Sequence, residues 1–252
     1  MTTENSGLTV RVLDTGYVRL KDAMGDDLSP VNDAKVSYAK ESEKFGPREA
    51  RLLSFLGREG HTSPFRHSVM KFEVYAPLMV ARQFWKYIIG SDHAELPFGR
   101  EAADPFTAWN ESSRRYITEE PEFYMVESDA WRSAPANSKQ GSGENLPEAL
   151  GRQLTSTLAA HQLEGERLYN QAMSQGVAPE QARLFLPAYG LMVRWVWTGS
   201  LQSVCHLLEQ RLAHDSQWEF QQYAKAIRDL AKTQFPNAID AYLNRGDEAH
   251  GK

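Results

Sequence analysis

The chain has a single cysteine, Cys205, among its 252 residues, which excludes a disulfide framework and a metal site built from several thiolates. It has no apolar run close to the roughly 20 residues that a membrane helix needs. It also lacks a basic excess, because 28 lysines and arginines stand against 33 acidic residues. A net charge of −5 argues against bulk nucleic-acid binding but leaves room for a local pocket that binds one phosphorylated small molecule.

The composition is that of an ordinary globular protein, with 41% hydrophobic and 24% charged residues. The N-terminus, MTTENSGLTV, lacks the basic-then-apolar order of a signal peptide, so a cytoplasmic protein is expected. We expect residues 1–252 to form one domain with flexible segments near 91–108 and 133–147. The first segment mixes charges with two prolines, and the second is rich in Ser, Gly, Asn and Pro.

The apolar patterns predict an α+β fold in which helices dominate the second half. Strands are predicted at 8–13, 17–20, 70–74, 122–126 and 191–197. Helices are predicted from a Ser29 cap with Pro30 in the first turn, at 47–56, from Pro77, and at 148–175, 200–213 and 216–233. The long helix carries its apolar positions at Leu150, Leu154, Leu158, His161 and Leu168.

Two segments that contain arginine are candidates for binding an anion. NESSRRY at 110–116 offers hydroxyls and guanidiniums that suit a phosphate monoester, although a capped helix start would use the same residues. In QARLFLP at 181–187, Arg183 stands among apolar residues. That setting predicts a buried arginine with a carboxylate or an anionic ligand as its partner.

Two further segments have both an ordinary structural and a functional interpretation. GHTSPFRH at 60–67 is either a helix C-cap with a surface loop or a polar site with two histidines. On the helix after Pro77, Arg82 and Lys86 share one face, which is typical of a solvated surface and less often of a phosphate site.

The segment 200–219, SLQSVCHLLEQRLAHDSQWE, places Arg211 close to the core-facing stripe of a helix, so its side chain could point into a pocket. His206 and His214 are two turns apart, and no nearby His/Glu set completes a metal site, so we expect no metal. Cys205 falls within the apolar pattern and is expected to fill the core, because nothing around it suggests a nucleophile.

These motifs, in this order and over nearly the whole chain, resemble the flavin-dependent thymidylate synthases. The similarity runs from VRVLD and MGDDLSPVNDAKVSYAK through GHTSPFRH, APLMVARQ, NESSRRY and FYMV to QARLFLP, WTGSLQS and RLAHDSQWEF. It implies a helix-rich α+β domain with a small antiparallel sheet, assembled as a homotetramer with active sites at subunit interfaces. It also implies methylation of dUMP at C5 to dTMP, with carbon from methylenetetrahydrofolate, a reduced FAD and electrons from NADPH, and no cysteine nucleophile.

The resemblance assigns roles to individual residues. Ser113 and Arg115 would hold the phosphate with help from Arg183, Glu111 would order the sugar or the phosphate loop, and Arg211 would lie against the pyrimidine ring. The resemblance implies Arg211 and Ser113 as catalytic residues, and the substrate-binding set is Gln83, Glu111, Ser113, Arg115, Arg183 and Arg211. The expected cofactor-binding residues are His61, Ser63, Lys86, Tyr87, Ile88, Ser200, Gln202 and His206.

The cofactor side departs from the family pattern. Lys86, Tyr87 and Ile88 stand where the family has Arg-His-Arg, and Arg66 replaces a glutamate. Ser200 and Gln202 replace an asparagine and an arginine. Two alternatives therefore stay open: an enzyme that acts at C5 of another pyrimidine such as dCMP, by methylation or hydroxymethylation, and a non-catalytic nucleotide-binding protein.

Overall fold

The computed structural model describes residues 8–88, 107–113, 120–136 and 141–244, which contain five strands of one sheet and eight α-helices. The strands are β1 (Thr9–Val12), β2 (Gly16–Met24), β3 (Val69–Pro77), β4 (Ala108–Glu111) and β5 (Met192–Ser200). The helices are α1 (Leu28–Ala34), α2 (Pro47–Arg58), α3 (Leu78–Phe84), α4 (Glu148–Ser174), α5 (Pro179–Ala182), α6 (Leu201–Arg211), α7 (Trp218–Ala231) and α8 (Pro236–Leu243). No helix in these described ranges is long and apolar enough to span a membrane.

The sheet is antiparallel throughout, in the order β1-β2-β3-β5-β4. Met70, Phe72 and Val74 alternate along β3 and are fully buried, so the predicted period of two is confirmed. The predicted strands at 8–13, 17–20 and 191–197 are also confirmed. The sheet and its helices match the α+β fold class expected from the sequence.

A cluster of aromatic rings joins α3 to the sheet and to α7. The Phe84 ring lies 5.4 Å from that of Trp195, 5.0 Å from that of Trp197 and 5.5 Å from that of Phe220, between ring centres. Trp109 of β4 stacks on Trp195 at 5.0 Å. Because large rings supply much of the apolar area buried in a core, this cluster anchors Phe84, the last residue of α3, against the sheet and α7.

The long helix α4 is confirmed, but its buried face differs from the apolar positions expected for it. Leu150 and His161 are exposed, whereas Gly151 and Gly165 are buried. A Cβ on Gly151 would lie 1.7 Å from the Ser128 carbonyl oxygen, and one on Gly165 would lie 2.6 Å from a Pro187 ring carbon. Close backbone approach at small residues therefore decides which face packs inward.

Two local predictions are wrong. The helix near Ser29 begins earlier, at Leu28, because the Asp26 carboxylate accepts the backbone N–H groups of Leu28 and Ser29. The predicted strand at 122–126 is reduced to a single bridge between Phe123 and Leu191.

The pairing at 122–126 ends because side chains take the next carbonyl groups. Gln162 donates to the Tyr124 carbonyl at 3.0 Å, and Thr155 donates to that of Val126 at 2.8 Å. Strand β4 and helix α8 were not anticipated. The one-domain organisation and the flexibility near 133–147 stay predictions, and residues 91–106 of the other flexible segment lie outside the described residues.

Replacement of Gly16 by alanine is expected to destabilise the protein. The new Cβ would lie 2.0 Å from the Tyr223 hydroxyl oxygen and 2.8 Å from the Tyr75 carbonyl oxygen. The Tyr223 hydroxyl donates to that carbonyl at 3.0 Å, so the methyl group would break a hydrogen bond in the core. We expect urea denaturation to show a loss of about 1–3 kcal/mol in the free energy of unfolding.

Gly46→Ala is the matched control for Gly16→Ala. Gly46 has extended backbone with φ of −153°, and a Cβ there would come no closer than 3.5 Å to Glu49 Oε2. Its effect should stay within about 0.5 kcal/mol. Equal losses for the two variants would contradict the packing described around Gly16.

Candidate functional site

The first part of the site lies where α3 meets the end of α6. Val80, Ala81 and Phe84 form the buried side of α3, which leaves Gln83 half-buried and Arg82 exposed. Arg82 and Lys86 both reach solvent.

Arg211, at the end of α6, meets Gln83 directly. Its Nη1 donates to Gln83 Oε1 at 3.3 Å, and its guanidinium carbon lies 5.4 Å from the centre of the Phe220 ring. Arg211 is half-buried, with its charge beside an aromatic face. Two members of the expected substrate-binding set are therefore in contact although 128 residues separate them in the chain.

Gln217 and Glu219, which follow α6 in the chain, extend this contact. Gln83 Nε2 donates to Gln217 Oε1, and Gln217 Nε2 donates to Glu219 Oε2 at 2.9 Å. We call the hydrogen-bonded series Arg211, Gln83, Gln217 and Glu219 the amide relay. Sequence reasoning gave no role to Gln217 or Glu219, although both stand in the motif RLAHDSQWEF that marked the region.

The second part of the site is a cleft of about 470 Å³ lined by Glu111, Ser113 and Arg183. Glu111 ends β4, and Ser112 then exchanges hydrogen bonds with the Arg194 backbone at 2.8 and 3.1 Å. This anchor holds Ser113 at the mouth of the cleft. Three further members of the substrate-binding set are thus brought together, and Arg115 lies outside the described residues.

The expectation that Arg183 is buried is wrong. Its side chain is exposed, and its Nε donates to the Glu180 carbonyl at 3.2 Å. Its apolar neighbours Leu184 and Phe185 are 83% and 48% exposed, so they create no buried environment for the guanidinium. An exposed guanidinium keeps its other donors available for an anionic ligand in the cleft.

The two parts of the site share no residue that lines the Arg183 cleft. Neither Gln83 nor Arg211 lines the cleft that contains Arg183. Leu78, at the start of α3, lines the Arg183 cleft. The next residue, Met79, lines a second cleft of about 360 Å³, which is also lined by Gln217 and Glu219.

Aromatic residues form much of the second cleft. It is lined by Tyr124, Trp131 and Trp218, and Trp131 Nε1 is anchored by a 2.8 Å hydrogen bond to Thr155. Burial raises the pKa of the Tyr124 hydroxyl above its ordinary value, and the carboxylate of Glu219 raises that pKa further. Tyr124 is therefore a neutral hydroxyl near the acidic end of the amide relay.

The expected cofactor-binding residues divide into exposed and buried groups. His61, Ser63 and Lys86 are exposed, and His206 is half-buried. Ser200 and Gln202 are fully buried. Tyr87 and Ile88 lie in the 3₁₀ helix Trp85–Ile88.

Packing of α6 against the turn before β3 explains why Ser200 and Gln202 are buried. Ser200 caps α6, because its Oγ accepts the backbone N–H of Ser203 at 3.2 Å. Gln202 Oε1 accepts from Arg66 Nη1 at 3.3 Å, and the same nitrogen lies 3.5 Å from Thr62 Oγ1. Arg66 therefore places a half-buried guanidinium beside the loop that carries His61 and Ser63.

Cys205 is fully buried in the main core, as expected from the apolar pattern of its helix. Within the described part of the chain, no group of three or more His, Cys, Asp or Glu side chains could hold a metal ion.

Comparison with known proteins gives a consistent set of relatives. The family model described as "Thymidylate synthase complementing protein" matches residues 19–237. The flavin-dependent thymidylate synthase of Thermus thermophilus is 38% identical over 235 residues, which cover 93% of this chain and 78% of the relative. That of Thermosipho africanus is 32% identical over 244 residues, covering 96% of this chain and 98% of the relative.

Among solved structures, the UMP/dUMP methylase PolB from Streptomyces cacaoi bound with 5-Br dUMP superposes with a TM-score of 0.74. The superposition covers 92% of this chain and 97% of that chain at 22% sequence identity. At this level of identity the likeness concerns the fold.

Proposed function

Because the chain belongs to the enzyme family of flavin-dependent thymidylate synthases, we propose that it methylates dUMP at C5 to give dTMP. The observation that carries this proposal is the cleft in which Glu111, Ser113 and Arg183 meet, although some 70 residues separate Arg183 from the other two. A hydroxyl and a guanidinium at one mouth are the donors that a phosphate monoester requires. Membership of an enzyme family sets aside the alternative of a non-catalytic binding protein.

Five of the six substrate-binding residues then have a chemical task. Ser113 and Arg183 bind the phosphate together with Arg115, and Glu111 orders the sugar or the phosphate loop. Arg211 lies against the pyrimidine ring, where its charge stabilises the electron-rich form of the base and so makes C5 a better nucleophile. The buried position of Cys205 supports a mechanism in which no cysteine attacks the base.

The residues present fit a flavin cofactor, which we propose is FAD. Exposed His61 and Ser63 offer polar contacts on one loop, and Arg66 adds a guanidinium that Thr62 and Gln202 hold in place. Lys86 contributes a further exposed cation. The bound flavin supplies the electrons that turn the methylene carbon from methylenetetrahydrofolate into a methyl group, and NADPH restores them.

A composite site between subunits is part of the proposal. Arg183 stands next to exposed apolar side chains, with Leu184 at 83% and Phe185 at 48% exposure. Exposed apolar side chains around a polar cleft are typical of a protein interface. We therefore infer a homotetramer in which one subunit supplies the Arg183 cleft and another supplies Gln83 and Arg211. The cytoplasmic location expected from the sequence stays a prediction.

The test measures release of tritium from C5-labelled nucleotides. We expect purified protein with a bound flavin to release tritium from dUMP and to form dTMP when methylenetetrahydrofolate and NADPH are both present. Labelled dCMP is the comparison substrate and should release little. Release from dCMP alone, or dTMP formation by flavin-free protein, would show that the proposed substrate or cofactor is wrong.

A further inference from the structure

The amide relay has a defined direction because charged groups stand at both of its ends. Arg211 can only donate hydrogen bonds, and a carboxylate such as that of Glu219 can only accept them. A glutamine amide can rotate and exchange its oxygen and nitrogen, so its orientation follows from its partners. Arg211 at one end and Glu219 at the other therefore require one and the same orientation for the amides of Gln83 and Gln217.

The orientation leaves one hydrogen on Gln83 for a ligand. Its Oε1 accepts from Arg211, and one hydrogen of Nε2 goes to Gln217. The amide of Gln217 is fully used, because its nitrogen also lies 3.5 Å from the Met79 sulfur. In the described part of the chain, the second hydrogen of Gln83 Nε2 has no acceptor.

Uracil and cytosine differ in the group that would meet this hydrogen. Uracil has a carbonyl oxygen at position 4, which accepts a hydrogen bond, whereas cytosine has an amino group there, which donates one. A fixed N–H on Gln83 therefore favours uracil, and a rotated Gln83 amide would favour cytosine.

We propose that Glu219, acting through Gln217, sets the orientation of Gln83 and so selects uracil over cytosine. The proposal rests on the proposed function, because it requires the base to lie beside Gln83 and Arg211. Glu219 and Gln217 are positioning residues in this role, since Gln83 is the residue that touches the base.

Glu219 becomes decisive when the substrate is bound. If Arg211 turns its guanidinium to the pyrimidine ring, its 3.3 Å contact with Gln83 is lost or weakened. Gln217 then remains as the partner that orients Gln83, and Glu219 is the partner that orients Gln217.

The first experiment uses Glu219→Gln, which keeps the shape of the side chain but presents either an oxygen or an NH₂ group to Gln217. Once Arg211 has turned to the pyrimidine ring, both amides of the relay can then rotate without losing hydrogen bonds. Calorimetric titration of the full-length, flavin-loaded protein with dUMP and with dCMP gives the ratio of the two dissociation constants. We expect the preference for dUMP to fall about tenfold, chiefly because dCMP binds more tightly.

A matched control and a second variant separate this effect from general damage. Glu164→Gln removes one negative charge from an exposed ion pair with Arg167 on α4 and should leave the ratio unchanged. The double variant Gln217→Glu/Glu219→Gln puts the carboxylate next to Gln83, where it accepts from both neighbours, and should restore the preference for dUMP.

The outcomes distinguish this proposal from the proposed function. A wild-type protein that does not prefer dUMP overturns the proposed function and, with it, the basis of the proposal. A wild-type preference for dUMP that persists in Glu219→Gln overturns the proposal alone. If Glu219→Gln does not fold, the double variant decides, because loss of the preference there would also overturn the role of Glu219.

Discussion

An equimolar mixture of Arg183→Ala and Arg211→Ala subunits is expected to recover turnover that neither variant shows alone. Each substitution removes a guanidinium from the proposed site and should lower turnover of dUMP by about 100-fold or more. The two arginines are assigned to different parts of the proposed site, and Arg211 does not line the cleft that contains Arg183. In a tetramer that builds each site from two subunits, random mixing leaves roughly a quarter of the sites with both arginines.

The measurement is the rate of dTMP formation after the two variants are unfolded together and refolded, or are produced in the same cells. A mixture of Gln83→Ala and Arg211→Ala is the control, since both residues belong to the same part of the site. Every composite site in that mixture lacks one of the two side chains, so no turnover should return. Absence of recovery in the first mixture would show that each site lies within a single subunit, and equal recovery in both mixtures would show that Gln83 and Arg211 come from different subunits.

Features that depend on local patterns could be predicted from the sequence. The alternation of Met70, Phe72 and Val74 predicts a half-buried strand, and this strand lies in the sheet as β3. The helix predicted to start near Ser200 does so, because the hydroxyl of this residue caps it. In both cases neighbours in the sequence supply the interactions that decide the structure.

The environment of Arg183 could not be predicted in this way. Apolar residues on both sides suggested burial, but Leu184 and Phe185 are exposed themselves. An apolar residue indicates burial only if the helix or strand that carries it packs against the core with the face on which the residue lies. The short helical segment Arg183–Phe185 has no buried residue. Sequence neighbours alone cannot distinguish a buried apolar segment from an exposed one.

The amide relay could not be predicted either, because its members come from distant parts of the chain. Gln83 and Gln217 are 134 residues apart, and their contact depends on how α3 and α7 pack. Glutamine is common on exposed helix faces, so neither residue had a distinctive pattern. The contact itself is what gives Gln217 and Glu219 a role.

Phe84→Ala is expected to cause a large loss of stability. The Phe84 ring is fully buried and contacts the rings of Trp195, Trp197 and Phe220. Its removal would leave a cavity between α3, β5 and α7, which typically costs about 3–5 kcal/mol. Urea denaturation should show this loss, whereas Tyr38→Ala, at a ring that is 78% exposed, should change the free energy of unfolding by about 0.5 kcal/mol or less.

The same substitution should weaken dUMP binding in the molecules that remain folded. Phe84 supports Phe220, whose ring lies 5.4 Å from the guanidinium carbon of Arg211, and Phe84 follows Gln83 on α3. A cavity at Phe84 therefore loosens both members of that contact, so Gln83 and Arg211 should bind the nucleotide less tightly. Calorimetric titration with dUMP below the unfolding transition measures this effect. Wild-type affinity in a folded but destabilised Phe84→Ala protein would show that the aromatic cluster supports the fold without positioning Arg211 for the nucleotide.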